Sequence, residues 1–307
     1  MLHTYAQMLS EVKPLSSRAS CVSDVLALTK PRITLMAAIL ALAGMFLASM
    51  GEAFFANALW PLIGIALLVS GASALNMYLE RDSDKYMART QDRPLPAGRL
   101  KPWVAMATGA FCSLASLAIL HWYANELTLL LGLFSLICYV WMYTPLKKHT
   151  WLSLVVGAVP GAMPALLGYT TLKGVLDAQG WALFFVAFFW QFPHFVAISI
   201  FREGEYTRAG CPVLPHVYGL PFARAFMVAT TIMLIASTTA LGMLAPSTWM
   251  FVVASLALGG WFFWSTVTGF TFERAEAWAK NVFFVSLCYQ TLLFAVLVVD
   301  LGIAWMV

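Results

Sequence analysis

The sequence predicts an all-α protein that crosses a membrane nine times, and three observations predict it. Hydrophobic residues make up 61% of the 307 positions and charged residues only 10%. The apolar residues gather in nine runs, each long enough to span a bilayer. Basic residues fall in alternate connections between those runs. Soluble domains carry about a quarter charged residues, so a water-soluble fold of this composition would leave too much apolar area exposed.

A spanning helix needs roughly 20 mostly apolar residues. The runs are 33–50, 55–79, 102–121, 126–143, 151–170, 180–200, 222–244, 247–268 and 281–304. Pro102, Pro221 and Pro246 are expected to mark breaks. Backbone groups in lipid must be hydrogen-bonded within the segment, which makes each run a helix. Residues 1–32 lack the apolar run of a signal peptide and read as a polar arm ending in a surface helix. Residues 33–307 read as one transmembrane domain.

Of the eighteen Lys and Arg residues, seventeen fall in the arm and in the connections after the even-numbered runs; Lys173 alone lies on the other side. Such asymmetry places the arm in the cytoplasm, or in the matrix of a mitochondrion, with the C-terminus opposite. A miscounted helix in mid-chain would scramble the alternation, so the pattern supports the count. The five cysteines contain no CxxC pair and point to neither a disulfide framework nor a zinc site.

Two connections on the basic side carry ionisable groups in concentration. The first follows run two. Four of the fourteen acidic residues lie within 80–92. If the helix continues, Asn76, Glu80 and Asp84 recur every four residues and share one face. Oxygen-bearing side chains at a helix end suit Mg²⁺, which binds one or two carboxylates together with substrate phosphates. Asp82 lies off the stripe, within reach of a second ion from the loop. Arg89 and Arg93 follow, and guanidinium forks match phosphate oxygens. Ordinary interfacial charge is the competing reading of any one of these residues.

The second connection follows run six. Glu203 and Glu205 offer a second carboxylate site, beside Tyr206, with Arg202 and Arg208 as phosphate donors. Between the two, Tyr143 is followed by Lys147 and Lys148, which serve either as phosphate ligands or as topogenic charges. His194 lies inside run six near Gln191. An ionisable residue within a span is a functional candidate by default. Its imidazole suits heme iron, a water or a proton; the alternative is a hydrogen bond to a neighbouring helix.

These residues resemble the UbiA superfamily of intramembrane prenyltransferases. Asn76, Glu80 and Asp84 are similar to its first acidic motif, and Glu205-Tyr206 to its second. The strings around Asp82-Ser83-Asp84, Arg89-Thr90, Arg93-Pro94, Tyr143-Thr144, Lys147-Lys148 and Gln191-Phe192-Pro193-His194, and the stretch from Tyr206 to Pro215, resemble the heme O synthase branch. Glu80 and Glu205 depart from the family by standing where aspartate is common. Ser153 departs too, and no role is attached to it.

The resemblance implies nine helices around a central cavity and Mg²⁺ as cofactor. It implies farnesyl transfer from farnesyl diphosphate to a vinyl group of protoheme IX, with addition of water. Asn76, Asp82, Asp84 and His194 would be catalytic, and Asn76, Glu80, Asp82, Asp84 and Glu205 would hold metal. Arg89, Arg93, Lys147, Lys148, Arg202 and Arg208 would bind diphosphate. Gln191, Tyr206 and Tyr143 would make other substrate contacts. It also implies a cell inner membrane, with heme A synthase or terminal-oxidase assembly as candidate partners and no nucleic acid. A UbiA-type enzyme acting on a quinone precursor is the nearest alternative; a transporter and a noncatalytic assembly factor are more distant ones.

Overall fold

Glycine permits a close helix approach in the bundle. A Cβ on Gly168 would overlap the Ala41 carbonyl, and one on Gly44 would overlap that of Ala165. Small residues of this kind let membrane helices meet backbone to backbone, where no hydrophobic force drives them together. In a computed structural model, which describes residues 21–49, 54–245, 249–272 and 274–306, these contacts join the first and fifth spanning helices. The first twenty residues of the expected arm lie outside the described residues, as does Pro246.

A short helix, α1 (Cys21–Leu28), leads into the first span, α2 (Pro31–Ser49). Spans then follow as α3 (Phe54–Glu80), α4 (Pro102–Tyr123), α5 (Glu126–Leu146), α6 (Ser153–Lys173) and α7 (Ala178–Phe201). The short α8 (Glu203–Arg208) precedes α9 (Leu214–Leu244), α10 (Trp249–Val267) and α11 (Ala275–Met306). Among the described residues nine helices are long and apolar enough to cross a membrane, and no strand occurs. The chain is a polytopic membrane protein. α6 packs on α2, α3, α5 and α7, and α11 closes the ring against α7, α10 and α2.

Three boundaries differ from the expected ones for local reasons. α3 ends at Glu80, and Asp84 opens a separate 3₁₀ turn over Asp84–Tyr86, so Asn76, Glu80 and Asp84 do not share one helical face. α9 begins eight positions before the expected 222; Gly219, at φ 81°, kinks the helix there, and Pro221 continues it. A left-handed residue supplies the bend that proline alone was expected to impose. α5 passes into a π-helical turn over Cys138–Tyr143, a local widening of the helix common at functional sites.

At the end of the bundle away from the basic loops, side chains cap the helices. Asn125 accepts from the Thr128 N–H and donates to the Thr170 carbonyl. Asp177 accepts from the Gly180 N–H at the start of α7, and from the Tyr169 hydroxyl at 2.9 Å. Burial works to raise the Asp177 carboxyl, but the Gly180 and Tyr169 donors outweigh it and leave the group below its ordinary value.

Candidate functional site

At the basic end, α2, α3, α5, α6 and α7 surround a cavity of about 340 Å³. Its lining combines charged and polar groups with apolar and aromatic ones. The last turn of α3 supplies Asn76 and Glu80, four residues apart on one face. A carboxylate at a helix C-terminus opposes the helix dipole. Lys147 offsets this: its Nζ donates to Glu80 Oε1 at 3.0 Å. Burial works against the Lys147 charge, yet Tyr143 and Glu80 beside it raise its pKa above the ordinary lysine value.

Asn76 is held from two sides. Its Nδ2 donates to Thr144 Oγ1 at 3.1 Å, and its Oδ1 accepts from Lys30 Nζ at 2.9 Å. Lys30 joins α1 to α2 with φ 47°, which turns its side chain across the bundle. Burial, and then Arg93, push the Lys30 ammonium down to about 7. The connection after α3 folds back on itself. Arg93 donates to Asp84 Oδ2 at 2.6 Å, and Thr90 Oγ1 donates to the Asp84 carbonyl at 2.8 Å. Arg99 similarly grips the buried carboxylate of Asp24 on α1 at 3.0 Å.

The second connection meets the first at the cavity mouth. Arg89 donates to the Tyr206 hydroxyl at 3.3 Å, bridging 117 positions of sequence. Glu205, next in line, accepts from Arg202 at 2.6 Å through Oε1, while its Oε2 is buried without a partner.

Eight of the expected site residues line the cavity: Asn76, Glu80, Arg89, Arg93, Tyr143, Lys147, Gln191 and Tyr206. Asp84 reaches it through Arg93, and Glu205 is the neighbour of Tyr206. The remainder are not among the lining residues. Asp82 has a side chain 68% exposed and pairs with Lys85 and Arg81. Lys148, Arg202 and Arg208 are exposed. His194 turns to α11, where its Nδ1 meets Ser286 Oγ at 2.7 Å and its ring stacks on Trp190. Lys30 and Tyr139 line the cavity and were not expected. A basic residue just ahead of Pro31 at the start of a span was the available signal for Lys30.

Among the described residues, no three His, Cys, Asp or Glu side chains converge into a ready-made metal cage. The donor set still fits Mg²⁺, which favours a few hard oxygens plus substrate phosphate over an all-protein cage. Asn76, Glu80 and Asp84 supply such oxygens, and the unpartnered Oε2 of Glu205 is a further one.

A helical bundle with paired acidic and basic groups at one membrane face, over an apolar and aromatic pocket, belongs to the class of intramembrane prenyltransferases. Residues 37–288 match the model of the UbiA prenyltransferase family, and the chain belongs to that family. It is 46% identical over 238 residues to the protoheme IX farnesyltransferase of Sorangium cellulosum, covering 78% of this chain and 85% of the relative. It is 41% identical over 284 residues to the protoheme IX farnesyltransferase of Myxococcus xanthus, covering 92% and 96%. A digeranylgeranylglyceryl phosphate synthase shares the fold with a TM-score of 0.78 at 14% identity, over 91% of this chain and 98% of that one. A UbiA homolog from Archaeoglobus fulgidus bound to DMAPP and Mg²⁺ shares it with a TM-score of 0.65 at 18% identity, over 89% and 99%. The protein is an enzyme, a membrane-embedded prenyltransferase.

Proposed function

We propose that the protein transfers the farnesyl group of farnesyl diphosphate to a vinyl group of protoheme IX, with addition of water, giving heme O. One observation carries the reading. Residues from two distant stretches meet over one cavity through Arg89 and Tyr206, and the cavity lining combines charged groups with apolar and aromatic ones. Such a pocket takes a molecule with an anionic head and a hydrocarbon tail. The choice of farnesyl donor and heme acceptor rests on the named relatives and on the motifs they resemble.

In this reading Arg89, Arg93 and Lys147 grip the diphosphate, each as a preorganised donor in a site of low dielectric. Asn76, Glu80, Asp84 and Glu205 would hold Mg²⁺, which would supply charge neutralisation at the diphosphate. Lys147 is already charged and fixed by Glu80, so its donor needs little reorganisation. Tyr139, Tyr143 and Phe195 shield the allylic carbon from water, and their ring faces favour positive charge there. The basic end faces the cytoplasm of a cell inner membrane, or the matrix in a mitochondrion. Both substrates are amphiphiles and enter from the bilayer.

The test is turnover by purified protein in lipid nanodiscs with farnesyl diphosphate, Mg²⁺ and protoheme IX, read by mass spectrometry of the porphyrin. Hydroxyethylfarnesyl heme supports the reading. Prenylation of an aromatic quinone precursor with no change in heme refutes it.

A further inference from the structure

Below the charged mouth, one amide has its orientation dictated by its neighbours. Gln191 on α7 is 5% exposed and lines the cavity. Its Nε2 donates to the Ala158 carbonyl and to the Ala187 carbonyl, each at 3.0 Å. Carbonyl oxygens only accept, so the nitrogen has to face them, and both of its N–H groups are used. Oε1 is therefore turned the other way, over Gly161 of α6. A Cβ at Gly161 would overlap that oxygen. No group among the described residues donates to Gln191 Oε1, and it is not one of the sealed, unpartnered atoms. The cavity it lines also carries Gly157, Leu154, Phe195 and the rings of Tyr139 and Tyr143. A two-lone-pair acceptor, clamped in one direction in such a cavity, suits a small donor that belongs beside the reacting carbons. The glycine at 161 keeps the space open for the amide itself.

We propose that Gln191 is the water-positioning residue of the reaction, its Oε1 holding the water that captures the positive charge after prenyl transfer. The proposal rests on the heme-farnesylating reading above. In the reaction the carbon–oxygen bond of farnesyl diphosphate breaks and its electron pair leaves with the diphosphate. The vinyl π pair forms the new carbon–carbon bond. The charge is left on the vinyl carbon attached to the porphyrin ring. A lone pair of the water forms a carbon–oxygen bond there, and a water proton is lost to the released diphosphate. Gln191 neither gives nor takes a proton. By accepting one water hydrogen it aims the water's lone pair at the cationic carbon. Without that water the cation closes by losing a proton from the adjacent carbon, giving an alkene lighter by one water.

The experiment compares the intact protein with Gln191→Met, which keeps the volume and removes the acceptor, and with Gly161→Ala, which displaces the amide without altering it. Products are separated by mass spectrometry after turnover in water enriched in heavy oxygen. The unaltered protein is expected to give hydroxylated product carrying the label. In both variants the ratio of dehydrated to hydroxylated prenyl-heme should rise about tenfold, a factor one ordinary hydrogen bond supports. Carbon–carbon bond formation should continue. An unchanged ratio in variants that still prenylate heme overturns the proposal. So does complete loss of prenylation with pyrophosphate binding and thermal stability intact, since Gln191 would then act before the bond forms. If Gln191→Met does not fold, Gly161→Ala alone decides. Absence of any prenylated heme from the unaltered protein is a different result, and it removes the heme reading itself.

Discussion

Lys147 Nζ lies 3.0 Å from Glu80 Oε1, with side chains 21% and 7% exposed, so a cation from the loop after α5 closes over the end of α3. The pair is both a structural tie and a preformed part of the diphosphate site. Lys147→Met leaves the Glu80 carboxylate buried without its counter-ion, at a cost of about 3 kcal/mol. Thermal unfolding should shift down accordingly, and pyrophosphate binding should weaken. Adding Glu80→Gln should restore much of the stability without restoring turnover. Full recovery of turnover in the double variant would count against both residues.

Asp84→Asn keeps the shape of the side chain and removes its charge. Arg93 then loses its 2.6 Å partner. Turnover should fall by about two to three orders of magnitude, the scale seen when one preorganised electrostatic group is removed from a site. Circular dichroism and the unfolding midpoint should show a folded protein. Near-normal turnover would remove Asp84 from the metal and diphosphate assignment.

Much of this was legible in the sequence, for identifiable reasons. Run length reports the bilayer directly, so nine apolar helices long enough to span it were readable. Asn76 and Glu80 were readable because both lie within one regular helix. The position of Asp84 was not, because the helix ends at Glu80 and the loop geometry depends on Arg93 and Thr90 folding back, so the expected shared face with Asn76 and Glu80 does not form. Lys30 was missed because its role depends on one left-handed joint before Pro31. Asp82 and His194 were expected at the site from their place in the sequence, a loop beside the acidic stripe and the interior of a span, and from the motifs that resemble the family's. Only packing shows one paired with its loop neighbours and the other turned to α11.

For His194 the geometry makes a specific prediction. Ser286 Oγ donates to the Phe283 carbonyl at 2.6 Å, so it accepts from His194, which carries its proton on Nδ1. His194→Ala removes this bond and the stacking on Trp190 and Phe283. Loss of a buried ring should destabilise by about 3 kcal/mol, read as a lower unfolding midpoint. Binding of pyrophosphate should persist. Loss of pyrophosphate binding in a variant of unchanged stability would reverse this assignment.

At the opposite end, Asp177→Ala removes the cap of α7, which should cost about 1 kcal/mol with little effect on turnover. Because the folded carboxyl titrates below its ordinary value, its contribution is complete above that value and is lost as pH falls through the folded one. The stability gap between wild type and Asp177→Ala should therefore be constant near neutrality and narrow in acid. A gap that widened in acid would contradict the hydrogen bonds from Gly180 and Tyr169.

The central claim is that two distant loops form one diphosphate site, and a structure with Mg²⁺ and a non-hydrolysable farnesyl thiodiphosphate tests it most directly. The account predicts the headgroup between the Asn76–Glu80 turn and α8, touched by Arg89, Arg93 and Lys147, with the tail descending past Gln191. A headgroup bound elsewhere, or one touching only one of the two loops, would contradict it.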